Sequence, residues 1–335
     1  MKIAKMIIKI FGIIIGTLLA ILLLICIWHN ISNISENKNV SIPGDRIEIY
    51  DNEFIHSKKI GGGEYTIVFL PGMGTASPYY DYYKLALEVS KNHQVIIMEP
   101  FGYGFSDNTS RERTLNNYEY ELSKVLEYYN IKEKIILLGH SYSGISNFNY
   151  ASKYDKVKGI ICLDCTTAYQ IETHVKDGKF IEDIPSTSKM YSIVSPLGLS
   201  RLAYKTIMKS EEDELLIDTP LEYQNNYKHF LYNKTMNKTI INEIDDIYNN
   251  QLEILYKKYD EDLHVLTILS DETIENMKEY KKNGDFSKDW EEMHQALISN
   301  NYIQKFYILH GNHYINHGNV EEINNRINEM ISNMN

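Results

Sequence analysis

Residues 135–144, Ile-Ile-Leu-Leu-Gly-His-Ser-Tyr-Ser-Gly, constrain the fold of this chain more than any other segment. Four apolar β-formers run straight into a tight turn that holds Ser141 between small residues, Gly139 two before it and Ser143 two after it. A serine at a strand-to-helix turn is forced into a backbone geometry that only small neighbours permit, and the strain exposes its hydroxyl. The pattern has the form of a nucleophile elbow, with Ser143 where the motif usually carries a second glycine. On its own it is equally compatible with a strand-to-helix turn that happens to contain a serine.

Its companions along the chain narrow the choice. Upstream, Tyr65 to Leu70 is a continuous apolar strand that empties into Pro71-Gly72-Met73-Gly74-Thr75, a turn whose glycines leave backbone N–H groups bare. A second strand, Gln94 to Met98, ends in a glycine-bearing loop from Glu99 to Asp107. Far downstream, Gln304 to Leu309 leads into His310-Gly311-Asn312-His313-Tyr314-Ile315. Serine elbow first, histidine last and an acid between them is one of the chain orders in which a Ser-His-acid triad occurs.

On these motifs the chain resembles the α/β-hydrolase superfamily, in particular single-chain esterase, lipase and peptidase-like members with a helical lid. The resemblance runs from about Asp45 to Asn335 apart from the lid. It implies an α/β fold, a mostly parallel sheet with helices on both faces and an inserted helical lid. Two positions depart from the family pattern: Pro71-Gly72 stands for the usual His-Gly, and Glu99 for the usual aspartate of its loop. By resemblance, the backbone N–H groups of Met73 and Tyr142 form the oxyanion hole, and no cofactor or metal is implied.

The acid has two candidates. Lys158 to Leu163 reads as the strand after the elbow, with Asp164 at its end, and some family members place the acid there. The following strand, His264 to Leu269, ends at Ser270-Asp271-Glu272-Thr273, where the family more commonly keeps it, but the expected position falls on Thr273. Asp164 is therefore the preferred acid and Asp271 the alternative. Either aspartate has an ordinary use as a helix cap or loop tie. His313 is the preferred base. His310 and His317 read as loop or packing residues, and His140 as a helper of the elbow whose side chain points away from Oγ. The histidine spacing does not match a zinc site.

At the N-terminus, Lys2, Lys5 and Lys9 precede an uncharged run from Ile10 to Trp28. At a helical rise of 1.5 Å its nineteen residues span about 28 Å, close to the hydrocarbon thickness of a bilayer. No small-residue cleavage pattern closes the run, so residues 1–29 read as an uncleaved signal anchor rather than a removed signal peptide. The lysines are expected to stay in the cytoplasm, placing everything from about Asn30 outside the cell membrane. Residues 30–45 read as a stalk, and residues 46–335 as one enzyme domain with a lid insertion at about 166–262. Glu211 to Ile217 and Asn242 to Tyr259 have helical periodicity within that insertion. Its tyrosines, Tyr169, Tyr191, Tyr204, Tyr223, Tyr227 and Tyr232, read chiefly as helix packing.

The formal net charge of −11 and the lack of a basic patch argue against a nucleic-acid partner. Cys162 and Cys165 fall on one expected strand, where residues three apart point to opposite faces about 10 Å apart, so they are expected as packed thiols rather than a disulfide. The chemistry expected is acyl transfer from a small-molecule substrate to water, on carboxylic esters first. Amide or peptide cleavage and acyl transfer to another acceptor use the same triad. A binding protein on an inactive hydrolase scaffold is the reading from a different class.

Overall fold

The computed structural model describes residues 2–37, 40, 42–176, 179–180, 195–284 and 286–334. An eight-stranded sheet runs in the order β1-β2-β4-β3-β5-β6-β9-β10. Its strands are β1 (Asp45–Tyr50), β2 (Glu53–Gly61), β3 (Thr66–Leu70), β4 (Gln94–Glu99), β5 (Ile135–His140), β6 (Val157–Leu163), β9 (His264–Ser270) and β10 (Gln304–Leu309). The short strands β7 (Val175–Lys176) and β8 (Lys179–Phe180) pair separately. β2 runs antiparallel to both β1 and β4, and every other pairing in the large sheet is parallel.

Helices cover both faces. The residues of β5 are all buried, and they divide by alternation: Ile135 and Leu137 face one core, Ile136 and Leu138 the other. The first core packs α4 (Leu115–Tyr128), α5 (Ser143–Ala151), α10 (Asp271–Lys282) and α11 (Trp290–Gln295). The second packs α3 (Tyr83–Val89) and α12 (Val320–Ser332), preceded by the one-turn α2 (Pro78–Asp81). α4 buries Leu122, Val125 and Leu126 along one face and is started by Thr114, whose side chain accepts from the Asn117 N–H.

Between β8 and β9 stand α6 (Leu199–Thr206), α7 (Lys209–Leu215), α8 (Leu221–Asn233) and α9 (Lys238–Ile254). Tyr169, Tyr227 and Tyr232 are buried, and Tyr204 and Tyr223 pack partly buried against the core. Tyr191 lies outside the described residues.

Two expectations need correction. The stalk proposed for residues 30–45 is helical over its first half, because α1 runs unbroken from Lys2 to Asn37. Cys162 and Cys165, expected as separate thiols, are joined as a disulfide with their Cα atoms 5.3 Å apart. The strand ends at Leu163, and Asp164 adopts a positive φ of 45° that folds Cys165 back over Cys162.

Glu99 at the end of β4 ties two loops together. Its carboxylate accepts from Ser77 Oγ at 2.6 Å and from the N–H groups of Tyr79 and Phe105, and meets His56 Nδ1 at 2.9 Å. A Cβ on Gly104 would collide with it at 2.1 Å, so the loop can close over the carboxylate only with glycine there. Burial opposes ionisation, but His56 and the loop donors hold the carboxyl below its ordinary value. Glu99→Ala is expected to cost about 3–5 kcal/mol, by leaving these buried donors unpaired. A depressed carboxyl pKa gives stability above the unfolded value of about 4.3 that is lost as pH falls through the folded value. The Tm gap between wild type and Glu99→Gln should accordingly be widest near neutrality and close in acid, which calorimetry across pH checks.

Candidate active site

The parallel register explains why distant segments meet. Leu70 of β3 pairs with Gly139 of β5, so the turn after β3 lies beside the turn after β5. His140 of β5 pairs with Leu163 of β6, and Leu163 with Ile268 of β9, which lines up Ser141, Asp164 and Ser270 at one edge. The strand order changes sense at β3, with β4 added on one side and β5 on the other, the position where open α/β sheets form a crevice at their carboxyl ends.

Ser141 stands at the tip of β5 with a φ of 51°, a left-handed conformation that is costly for a residue with a Cβ. Small neighbours make the turn possible. A Cβ on Gly72 would come within 2.9 Å of Ser141 Cβ, and one on Gly144 within 2.6 Å of Cys165 Cβ. Ser143 is held inside, donating to the carbonyl oxygens of His140 at 2.8 Å and Leu70 at 3.1 Å, so its hydroxyl fastens the turn.

His313 Nε2 lies 2.9 Å from Ser141 Oγ, and His313 Nδ1 lies 2.7 Å from Asp164 Oδ2. Asp164 is fully buried. It also accepts from the Ser270 N–H at 3.1 Å, Thr273 Oγ1 at 2.6 Å and Trp290 Nε1 at 2.7 Å. Burial opposes its charge, but His313, Thr273 and Trp290 together keep the carboxyl below its ordinary value. Sequence reasoning missed Ser270 and Trp290 as partners of this carboxylate. Thr273 occupies the position where the family pattern expects an acid, and its hydroxyl donates to Asp164 instead.

Asp271 points elsewhere. It meets His310 Nδ1 at 2.9 Å and accepts from the Gly311 N–H at 3.0 Å, both on the loop that carries His313. Ser270 Oγ donates to the Gly311 carbonyl at 2.5 Å, fastening the same loop from the other side. His310 is exposed, whereas the His317 side chain is largely shielded from water and lies 3.0 Å from Asp81.

His140 supports the loop from below. Its Nε2 lies 2.8 Å from the His313 carbonyl oxygen, so this nitrogen carries the proton, and its ring packs 4.7 Å from that of His313. Burial, with the neighbouring His313, pushes its pKa down to about 4 and keeps the ring neutral. Met73 and Tyr142 lie in the turns that follow the neighbouring strands β3 and β5, and neither backbone N–H has a hydrogen-bond partner among the described residues. Tyr142 is buried, its hydroxyl accepting from Asn250 Nδ2 of α9 at 2.9 Å.

The family profile described as alpha/beta hydrolase fold matches residues 65–316. Among curated proteins, the uncharacterized protein YbdG of Bacillus subtilis is 30% identical over 140 residues, 42% of this chain and 41% of that protein. Cis-3-alkyl-4-alkyloxetan-2-one decarboxylase of Shewanella oneidensis is 31% identical over 114 residues, 33% of this chain and 35% of that protein. The chain thus matches only about two fifths or less of each relative's length. Of solved structures, the epoxide hydrolase VrEH1 from Vigna radiata aligns with a TM-score of 0.57 at 15% identity, covering 86% of this chain and 98% of that one. That likeness is one of fold. With its sheet, its helices on both faces and a family match across most of its length, the chain belongs to the alpha/beta hydrolase fold family.

Proposed function

We propose that this protein is a membrane-anchored serine hydrolase that cleaves a carboxylic ester or related acyl substrate. The observation that carries the reading is the chain of contacts from Ser141 Oγ through His313 to the buried Asp164, at 2.9 and 2.7 Å. His313 takes the Ser141 proton as Oγ attacks the carbonyl carbon, and the N–H groups of Met73 and Tyr142 receive the developing oxyanion. His313 then protonates the departing alcohol, leaving an acyl-serine. Water, deprotonated by the same imidazole, releases the acid and restores Ser141. Asp164 holds the His313 Nδ1 proton and stabilises the imidazolium.

The family alone does not choose the substrate. A serine nucleophile favours acyl chemistry over epoxide opening, for which relatives use an aspartate at this position. The Shewanella relative's name specifies an oxetan-2-one, which is a cyclic ester. The helix from Ile3 to Glu36 is long and apolar enough to cross a membrane. With Lys2, Lys5 and Lys9 ahead of the apolar run, the catalytic domain lies on the extracytoplasmic side. The full-length protein in detergent is expected to be labelled by a fluorophosphonate probe and to hydrolyse p-nitrophenyl butyrate faster than alanine p-nitroanilide. Preference for the anilide would make it an amidase, and failure of both labelling and turnover would favour a binding protein on a hydrolase scaffold.

A further inference from the structure

The carboxyl-terminal end of α1 does not stand free above its apolar part but is built into the inserted helices. Arg201 of α6 is fully buried and donates to Asn33 Oδ1 at 2.6 Å, Glu36 Oε2 at 2.8 Å and His29 Nδ1 at 3.1 Å. Its guanidinium also lies over the Tyr232 ring. His229 of α8 meets Glu36 at 3.0 Å, and the amides of Asn33 and Asn233 bond each other reciprocally at 2.9 and 3.0 Å. A buried guanidinium satisfied by three residues of one helix is a rigid latch, since its separation would leave a desolvated charge unpaired.

The same elements reach toward Ser141. Asn233 touches α1, and three residues later Met236 packs against a small cluster that holds Ile240, Ile241 and Ile244, which Met73 in the turn after β3 also borders. A segment of three residues spans at most about 11 Å. Between α1 and this segment lies a cavity of about 390 Å³, lined by Asn30, Asn33, Asn108, Met236, Asn237 and Lys238 among others. Asn30 is exposed, so the cavity reaches the molecular surface just beyond Trp28. By helical rise, Asn33 stands only about 8 Å above Trp28, within the headgroup region when residues 10–28 span the bilayer.

Building on the serine-hydrolase reading above, we infer that the substrate is a bilayer-resident acyl ester with a polar head. It leaves the membrane along α1, and its head is held by the amides and Lys238 of this cavity. Its ester passes the apolar cluster that Met236 and Met73 border to reach Ser141, where one water is consumed and a fatty acid and an alcohol are released. The latch keeps that entrance at the lipid surface. Lipid of the leaflet on the domain's side is the source.

The test uses the full chain reconstituted in phosphatidylcholine vesicles that contain a fluorogenic diacylglycerol ester, with p-nitrophenyl butyrate as the soluble comparison. The wild type should hydrolyse the vesicle ester, and Arg201→Ala should lower the vesicle-to-soluble rate ratio by about tenfold through loss of local positioning. If Arg201→Ala also lowers Tm, Glu36→Gln, which keeps the side-chain shape, should lower the same ratio without affecting the soluble rate. Soluble turnover with no vesicle turnover, or an unchanged ratio in both variants, overturns this inference and leaves the hydrolase reading intact. Absence of both turnovers together with absence of fluorophosphonate labelling overturns both.

Discussion

Ser141→Ala is expected to lower kcat for a soluble ester by roughly 10⁶-fold with little change in KM, and to abolish fluorophosphonate labelling. The size of the effect follows from the division of labour in the proposed site. Without Oγ there is no acyl-enzyme, and His313 has no proton to take. What remains is the contribution of binding and the two backbone donors, roughly 10³–10⁴ over water. The turn itself should survive, because alanine carries the same Cβ that Ser141 already holds at a φ of 51°, and the residues that fasten the turn are others. Ser143 anchors it to Leu70 and His140, and Gly72 and Gly144 supply the clearance. An unchanged Tm alongside lost turnover is therefore the expected pair of measurements. A variant that keeps more than a few per cent of the activity would remove Ser141 from the chemistry.

The parts of this architecture that could be read from sequence are those in which local chemistry and topology agree. Apolar strands ending in glycine-bearing turns declare the sheet, since each must hand a buried run to a tight bend; the turns after β3 and β5 were both legible in this way. The apolar run before Trp28 is legible because a bilayer sets its length. What escaped was decided by tertiary partners. Residues 30–37 are polar enough to pass for a stalk, but Asn33 and Glu36 find Arg201 roughly 165 residues away and the helix continues. The Cys162–Cys165 link depends on one backbone angle at Asp164, and an aspartate rather than a glycine gives no warning of a positive φ. The partners of Asp164 are equally hidden: no spacing rule joins Trp290 to a residue 126 positions earlier, because the contact is made by where α11 packs.

The choice of acid is the second large expected effect. Asp164→Asn should cut kcat by roughly 10⁴-fold while Asp271→Asn stays within about twofold of wild type. At Asp164 the change reverses the hydrogen-bond logic: Ser270 N–H, Thr273 Oγ1 and Trp290 Nε1 all donate into the carboxylate, and an amide in its place can accept but must also aim an NH₂ group at one of them. The His313 Nδ1–H loses its anionic acceptor, so the tautomer that leaves Nε2 free to take the Ser141 proton is no longer favoured. Asp271 has no such hold on the reacting atoms. Its contacts are to His310 and the Gly311 N–H, with both side chains well exposed to water, and Ser270 anchors the same loop independently. Because Asp164 acts through His313, the loss should appear in kcat rather than KM. It should also exceed what Thr273→Val causes, since that variant removes one of the four supports of the carboxylate and leaves its charge in place. An Asp271→Asn loss equal to or larger than that of Asp164→Asn would transfer the role to the strand-end aspartate after β9.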